Sequence, residues 1–559
     1  IAARSTRTNF IKDGGALGLD LEGQNMIAYV WDGGHARLTH QEFDGPGGND
    51  RVSAEDTASE GGLLYENHAT HVTGTIIASG VNTQAEGMAT WAKVKGYKWS
   101  SDLSEATAAA ANGMLISNHS YGDITSTLPD YLFGTYRPRS RNWDVLHYNG
   151  PYYLMVVAAG NDGNTNFNGS PLNPSFPEYD KLSRFGISKN NMVVANSQDA
   201  TIDASGNLVS VTINSSSSQG PTDDYRIKPD ISGNGTGLVS PLAGNDSAYG
   251  NYSGTSMASP NVAGSLLLLQ QHANNLIGSY LRSATLKGLA LHTADDAGLT
   301  GPDAKYGWGL MNTKKAAETL SQRGNTSMVE EFTLNQEDTY TVDVEASGLE
   351  DLIASVSWTD PAGEPTNTLN DTSPRLINDL DIRITNNTGT WYPWRLTDVN
   401  TNANDGDNIV DPFERIEVND PTGTYTITVT HKGSISSGSQ DYSLIITGVT
   451  NVPQLCTVPN TPTLLNITSS EAEIGWSSLD NPVNGYDYFF STNSTLPDAS
   501  TVPTGNVINA NSVTINGLIP DSSYYFYVRA NCGGDGVSEW SEALLIKTLC
   551  TASSFPYLE

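Results

Sequence analysis

The chain has 559 residues, too many for one hydrophobic core, so three or four domains are expected. It carries 61 Asp and Glu against 29 Lys and Arg, a formal net charge of −32, which argues against nucleic acid and anionic membranes as partners. No apolar run approaches the ~18 residues that a membrane-spanning helix needs.

The first residue is Ile1, without Met and without a signal-like segment, which predicts a processed chain whose leader and pro-region have been removed. The three cysteines, Cys456, Cys532 and Cys550, all fall in the last quarter. Such clustering predicts a secreted, extracellular protein with one thiol left over. Ions or packing must supply extra stability to everything before Cys456.

In chain order, the apolar run Met26–Trp31 ends at Asp32-Gly33-Gly34. A continuous apolar strand suits a parallel sheet buried on both faces, and chemistry in such sheets gathers at the carboxyl ends of the strands. The segment Glu66 to Ala78 then predicts a buried helix beginning near His68. His68 and His71 stand three apart and could hold a metal, but no Glu lies between them as in His-Glu-x-x-His. Leu115–Gly122 and Leu154–Gly163 each read as a strand leading into a turn, the second delivering Asn161 from a Gly flank. Acidic loops around Asp44, Asp50, Glu55 and Asp56 are solvated surface or calcium ligands. The string Gly254-Thr255-Ser256-Met257-Ala258-Ser259-Pro260 precedes the apolar run Val262–Leu269. Pro is tolerated in a first helical turn, so Ser256 is expected at or just before a helix N-terminus, where free amides favour a developing oxyanion.

Together these strings resemble the signature regions of subtilisin-type serine proteases, the subtilases. The carriers are Asp32-Gly33-Gly34, His68 through Gly74, Ala158 through Asn161 and Gly254 through Pro260. The segment Ser218–Thr222 through Lys228-Pro229-Asp230 adds a fifth. The order Asp…His…Ser is the one subtilisin uses. Two departures are Ala69, where the family has Gly, and Gly33, where it has Ser or Thr; both are small. The resemblance covers about residues 1–320 and implies an α/β parallel-sheet catalytic domain, expected over 1–322. It also implies that His68 is the base for the Ser256 hydroxyl, that Asp32 orients it, and that the Asn161 amide joins the Ser256 backbone amide at the oxyanion. By the same resemblance Ser120, Tyr121, Gly122, Ala158, Ala159 and Gly160 line the substrate pocket. No catalytic metal is implied.

From 323 to 450 the pattern changes to short runs alternating with period two, such as Thr339–Val344, Leu352–Trp358 and Thr424–Val429. These predict a β-sandwich or jelly roll. Asp379 and Asp381 would share one strand face there. With Asp405, Asp407 and Asp411 they form a candidate structural calcium site, Arg383 being the alternative partner. The unit resembles the β-barrel that follows the protease domain in convertase-like and alkaline subtilases. Residues 451–550 resemble a fibronectin type III module, with Trp476 in an early strand and Tyr524 placed like a tyrosine-corner residue. Three disulfide pairings are possible, of which Cys456–Cys532 is favoured. Residues 551–559 read as a tail or the start of a further module.

The expectation is a monomeric secreted endopeptidase acting on protein or peptide substrates, with structural calcium. The alternatives are a matrix-binding or adhesion protein whose protease-like domain is a non-catalytic scaffold, and a metal-dependent hydrolase built on His68 and His71.

Overall fold

The computed structural model describes residues 1–44, 50–452, 456, 458–478, 482, 484–533 and 536–551. Residues 552–559 of the expected tail 551–559 lie outside the described residues.

Seven strands form the first sheet: β1 (Ile27–Asp32), β2 (Val52–Ala54), β3 (Lys93–Lys98), β4 (Ile116–His119), β5 (Leu154–Ala158), β6 (Met192–Ser197) and β7 (Ile231–Asn234). They are parallel, in the order β2-β3-β1-β4-β5-β6-β7. The uninterrupted apolar character of β1 follows from burial on both faces. Tyr29 and Trp31 pack with Ala106, Ala109, Trp143 and Leu146 from the helices Asp102–Ala111 and Pro138–Asn149. Two further helices matter for the site, α1 (Asn67–Ile77) and α2 (Thr255–Ile277).

Two antiparallel four-stranded sheets make the β-sandwich. One joins Met328–Asn335, Ser439–Thr447, Leu352–Trp358 and Phe413–Val418; the other joins Tyr340–Glu345, Thr424–Lys432, Asp379–Thr385 and Thr390–Trp391. Helix α3 (Ser283–His292) packs against both β5 and the first of these sheets, and all ten of its residues are buried. Its polar groups find partners in the sandwich. His292 bonds Ser355 Oγ at 2.8 Å and Thr447 Oγ1 at 3.0 Å, and Thr285 Oγ1 meets Ser443 Oγ at 2.6 Å. Nearby, the fully buried Lys189 ammonium is paired with Asp360. The expected 1–322 and 323–450 domains therefore share one compact unit, Ile1–Asn274 with Tyr280–Asn451.

The second unit comprises Asn275–Ser279 and the residues from Val452 onward. It holds a three-stranded and a four-stranded antiparallel sheet around Trp476, Tyr486, Tyr524, Phe526 and Ile546. The Tyr524 hydroxyl accepts the Ile519 amide at 2.9 Å, the backward bond of a tyrosine corner. Cys456 and Cys532 form a disulfide, and Cys550 is exposed and free.

Candidate active site

The register of β1 and β4 pairs Trp31 with His119, so Asp32 and Ser120 leave the sheet side by side. Asp32 is buried, and both its carboxylate oxygens face His68 Nδ1, at 2.8 and 3.0 Å. The Gly33 amide also donates to it, at 2.7 Å. His68 is the second residue of α1, which starts where it does because the Glu66 side chain accepts the Ala69 amide at 2.9 Å, a side-chain N-cap. Burial opposes the imidazolium, but the hydrogen bond and charge of Asp32, with Glu66 beyond, outweigh it, and His68 titrates above its usual 6.5.

One turn on, His71 is fully buried. Its Nε2 meets the Leu238 carbonyl at 3.0 Å and its ring stacks on Tyr252 at 4.6 Å. Burial pulls its pKa down to about 4. The two imidazoles thus address different groups. Around these two histidines the metal-capable side chains that converge are Asp32, Glu66 and His68, and Glu66 is engaged as the cap.

Helix α2 begins at Thr255, which puts Ser256 in its first turn. Pro260 is then the sixth residue, in the second turn rather than the first. The missing N–H of Pro260 would have bonded the Ser256 carbonyl. That carbonyl instead accepts the Ser120 hydroxyl at 2.9 Å, itself held by the Asn118 side-chain amide at 2.9 Å. The Ser256 hydroxyl donates to the Ser120 carbonyl at 3.2 Å. Two reciprocal bonds therefore tie Ser256 to the end of β4.

The Asn161 Oδ1 accepts both the Thr255 amide, at 2.9 Å, and the Thr255 hydroxyl, at 3.2 Å. Thr255 Oγ1 in turn receives the Gly160 amide at 3.2 Å. With its oxygen occupied, Asn161 has its NH₂ group left to offer. Sequence reasoning missed Thr255, although it adjoins the serine, because a threonine at a helix start reads simply as a cap.

The expected pocket residues Ser120, Tyr121, Gly122, Ala158, Ala159 and Gly160 do line one cleft, of about 340 Å³, together with Asn161, Phe167, Arg184 and Ser256. Tyr121 is half-buried; its hydroxyl donates to Asp102 at 3.0 Å. The Arg184 guanidinium lies over its ring at 5.2 Å and donates to the Gly122 carbonyl at 3.3 Å. Arg184 has no flanking motif that would mark it in the sequence.

The expected calcium ligands do not all meet. Asp381 and Asp407 share Lys432 Nζ at 2.8 and 2.6 Å and Arg383 at 2.9 and 2.6 Å, and Asp379 lies 3.6 Å from the same lysine. Asp405 is exposed in a two-residue ladder with Trp394–Arg395. Asp411 is buried elsewhere, accepting the Ile227 amide at 2.9 Å and the Asn408 side chain at 3.0 Å. In their place stands Glu414, fully buried, with Oε2 accepting the Ile382 amide at 2.9 Å and Oε1 without a partner. Asp379 Oδ1 is likewise without one. Burial first, then the Asp381 charge, pushes Glu414 well above the carboxylate range, and burial lifts Asp379 to about 6.

Residues 36–309 match the subtilase family, Peptidase S8, and residues 457–546 match the fibronectin type III domain. The alkaline extracellular protease of Yarrowia lipolytica is 29% identical over 242 residues, 43% of this chain and 46% of that protein. Subtilisin-like protease 1 of Pseudogymnoascus destructans is 28% identical over 268 residues, 47% and 55% of the two chains. The minor extracellular protease Vpr of Bacillus subtilis is 31% identical over 140 residues, 22% of this chain and 17% of its own. The match thus spans about half the length of the first two and less of the third. No helix among the described residues is long and apolar enough to cross a membrane. With its parallel sheet and the Asp32–His68 pair at the sheet's carboxyl edge, the first unit carries a subtilase domain over residues 36–309, and the second carries a fibronectin type III domain over residues 457–546.

Proposed function

We propose that the chain is a secreted serine endopeptidase that cuts peptide bonds in proteins through an acyl-enzyme. The observation that supports this reading is a carboxylate-bound imidazole at the end of β1 together with a serine, on a helix N-terminus, tied to the end of the adjacent strand β4. The Ser256 Oγ attacks the scissile carbonyl carbon while His68 takes its proton, then passes that proton to the leaving amine. Water repeats the sequence on the ester, with His68 again the base. Asp32 fixes the imidazole through Nδ1 and stabilises its cation. The oxyanion takes the Asn161 NH₂ group and the Ser256 amide. The Ser256 hydroxyl bonds the Ser120 carbonyl in the free protein, and catalytic bonds of this kind tighten once substrate is seated. Secretion is supported by the extracellular proteases among its relatives. The presence of Asp32, His68, Ser256 and Asn161 together favours turnover over a non-catalytic matrix-binding scaffold. Ser256→Ala should abolish both peptide hydrolysis and labelling by a serine-directed phosphonate; labelling at the parent rate would refute the assignment.

The β-sandwich adds stability, and a calcium ion fits its acidic cluster in amended form. Asp379, Asp381, Asp407 and Glu414 are four carboxyls against the two cations Lys432 and Arg383. Two of the carboxyl oxygens are orphaned, a deficit that a divalent ion would fill.

A further inference from the structure

A second pair of carboxyls lies far from that cluster in sequence and belongs to the protease layer. Asp180 and Asp223 are 0% and 2% exposed. One oxygen of each is used. Asp180 Oδ2 accepts the Asn168 side chain at 2.9 Å and the Leu172 amide at 3.0 Å, and Asp223 Oδ2 accepts the Thr135 hydroxyl at 2.8 Å. The Oδ1 of each is buried without any hydrogen-bond partner. Both of these orphaned atoms converge on Gly134. A Cβ there would stand 2.2 Å from Asp223 Oδ1 and 2.5 Å from Asp180 Oδ1, so the two oxygens are at most about 4.7 Å apart. Gly134 also has φ +63, so glycine is required on both counts. The cations on adjoining residues are committed elsewhere: Arg226 Nε to Asp224 at 3.0 Å, and Lys181 Nζ to the Gly163 carbonyl at 2.8 Å.

Two buried carboxylates without a counter-charge are costly. Burial first, then the charge of Asp180, raises Asp223 to about 8, and burial raises Asp180 to about 6. We propose that Asp180 and Asp223 hold a hard divalent cation, calcium, between their free oxygens. Oxygen donors of this type and spacing match its preference, with water and carbonyls completing the shell. The site has a mechanical consequence. Asp180 belongs to the loop that runs from Asn161 to the cleft residues Ser183 and Arg184. Asp223 follows Ser218, whose hydroxyl accepts the Asp162 amide at 3.0 Å. A cation shared by Asp180 and Asp223 clamps these two segments together behind the oxyanion donor.

The competing account is one proton shared by the pair. Full-length Ser256→Ala protein, which cannot digest itself, would be compared with the same protein carrying Asp180→Asn and Asp223→Asn. The readouts are calcium stoichiometry by equilibrium dialysis and Tm with and without chelator. The expected result is one calcium fewer per chain in the double variant. Its melting order should also cross over, at or above the parent in chelator but roughly 3–6 °C below it in saturating calcium. Equal stoichiometry with an unchanged calcium-dependent shift overturns the proposal and leaves the shared proton. Should the double variant fail to fold, Asp379→Asn with Asp407→Asn removes the other candidate site instead. At least one calcium must then remain, and none bound would overturn the proposal.

Discussion

His68 and His71 sit three residues apart on α1, yet the cleft side and the buried side of that helix impose opposite chemistry on them. On the cleft side Asp32 bonds the imidazole and its charge favours the cation. On the buried side desolvation holds the imidazole neutral, outweighing the Leu238 carbonyl that its ring bonds. The residue type is the same and the backbone is the same. Titration is decided by whether a carboxylate reaches the ring before burial excludes the proton.

The comparison breaks first on activity. His68→Ala should cost turnover on the order of 10⁶-fold, the loss known for the catalytic histidine of subtilisin itself. His71→Ala should leave kcat per folded molecule within a few-fold. Steady-state assays on a peptide amide, normalised by active-site titration, check both. Asp32→Asn should cost about 10⁴-fold and change the pH profile. Catalysis needs neutral His68, so the acid limb of kcat/KM lies above pH 6.5 while Asp32 outweighs burial. Without that carboxylate the limb should move to lower pH, and an unmoved limb would mean that another group sets it. Asn161→Ala should cost roughly 100- to 1000-fold in kcat with little change in KM, again a value known for subtilisin.

The smallest effect concerns stability. His71 has a folded pKa of about 4, below its unfolded value near 6.5. The unfolded chain therefore binds more protons between those values. Its contribution is fully present above pH 6.5 and is lost as pH falls toward 4. His71→Ala should destabilise the protein by about 2–4 kcal/mol near neutrality, through lost packing and the stranded Leu238 carbonyl. The deficit should shrink toward pH 4 in denaturant titrations.

The legible parts of this molecule are those written in local pattern. Apolar runs mark β1, β4 and β5 and put Asp32 and Asn161 near their ends. Small residues before an apolar helix place Ser256, and Tyr524 announces its corner through the preceding Ile519–Ser523 turn. What stays hidden depends on contacts between distant segments. Pro260 falls one turn later than its sequence suggests because the helix start is fixed by Thr255 meeting Asn161 across the sheet edge. Asp405 and Asp411 look like partners of Asp379 because acidic residues close in sequence suggest closeness in space. Glu414 and Lys432 reach that cluster from other strands, and Asp180 meets Asp223 only because Gly134 lets both approach.

Helix α3 has no face of its own to show to water. The parallel sheet covers part of it, and the strands Leu352–Trp358 and Ser439–Thr447 cover the rest. A chain cut after residue 322 would leave Leu289, His292 and their neighbours bare and would invite aggregation. The smallest part of this sequence that buries α3 is therefore the whole of the first unit, and the sandwich is one of its walls rather than an appendage.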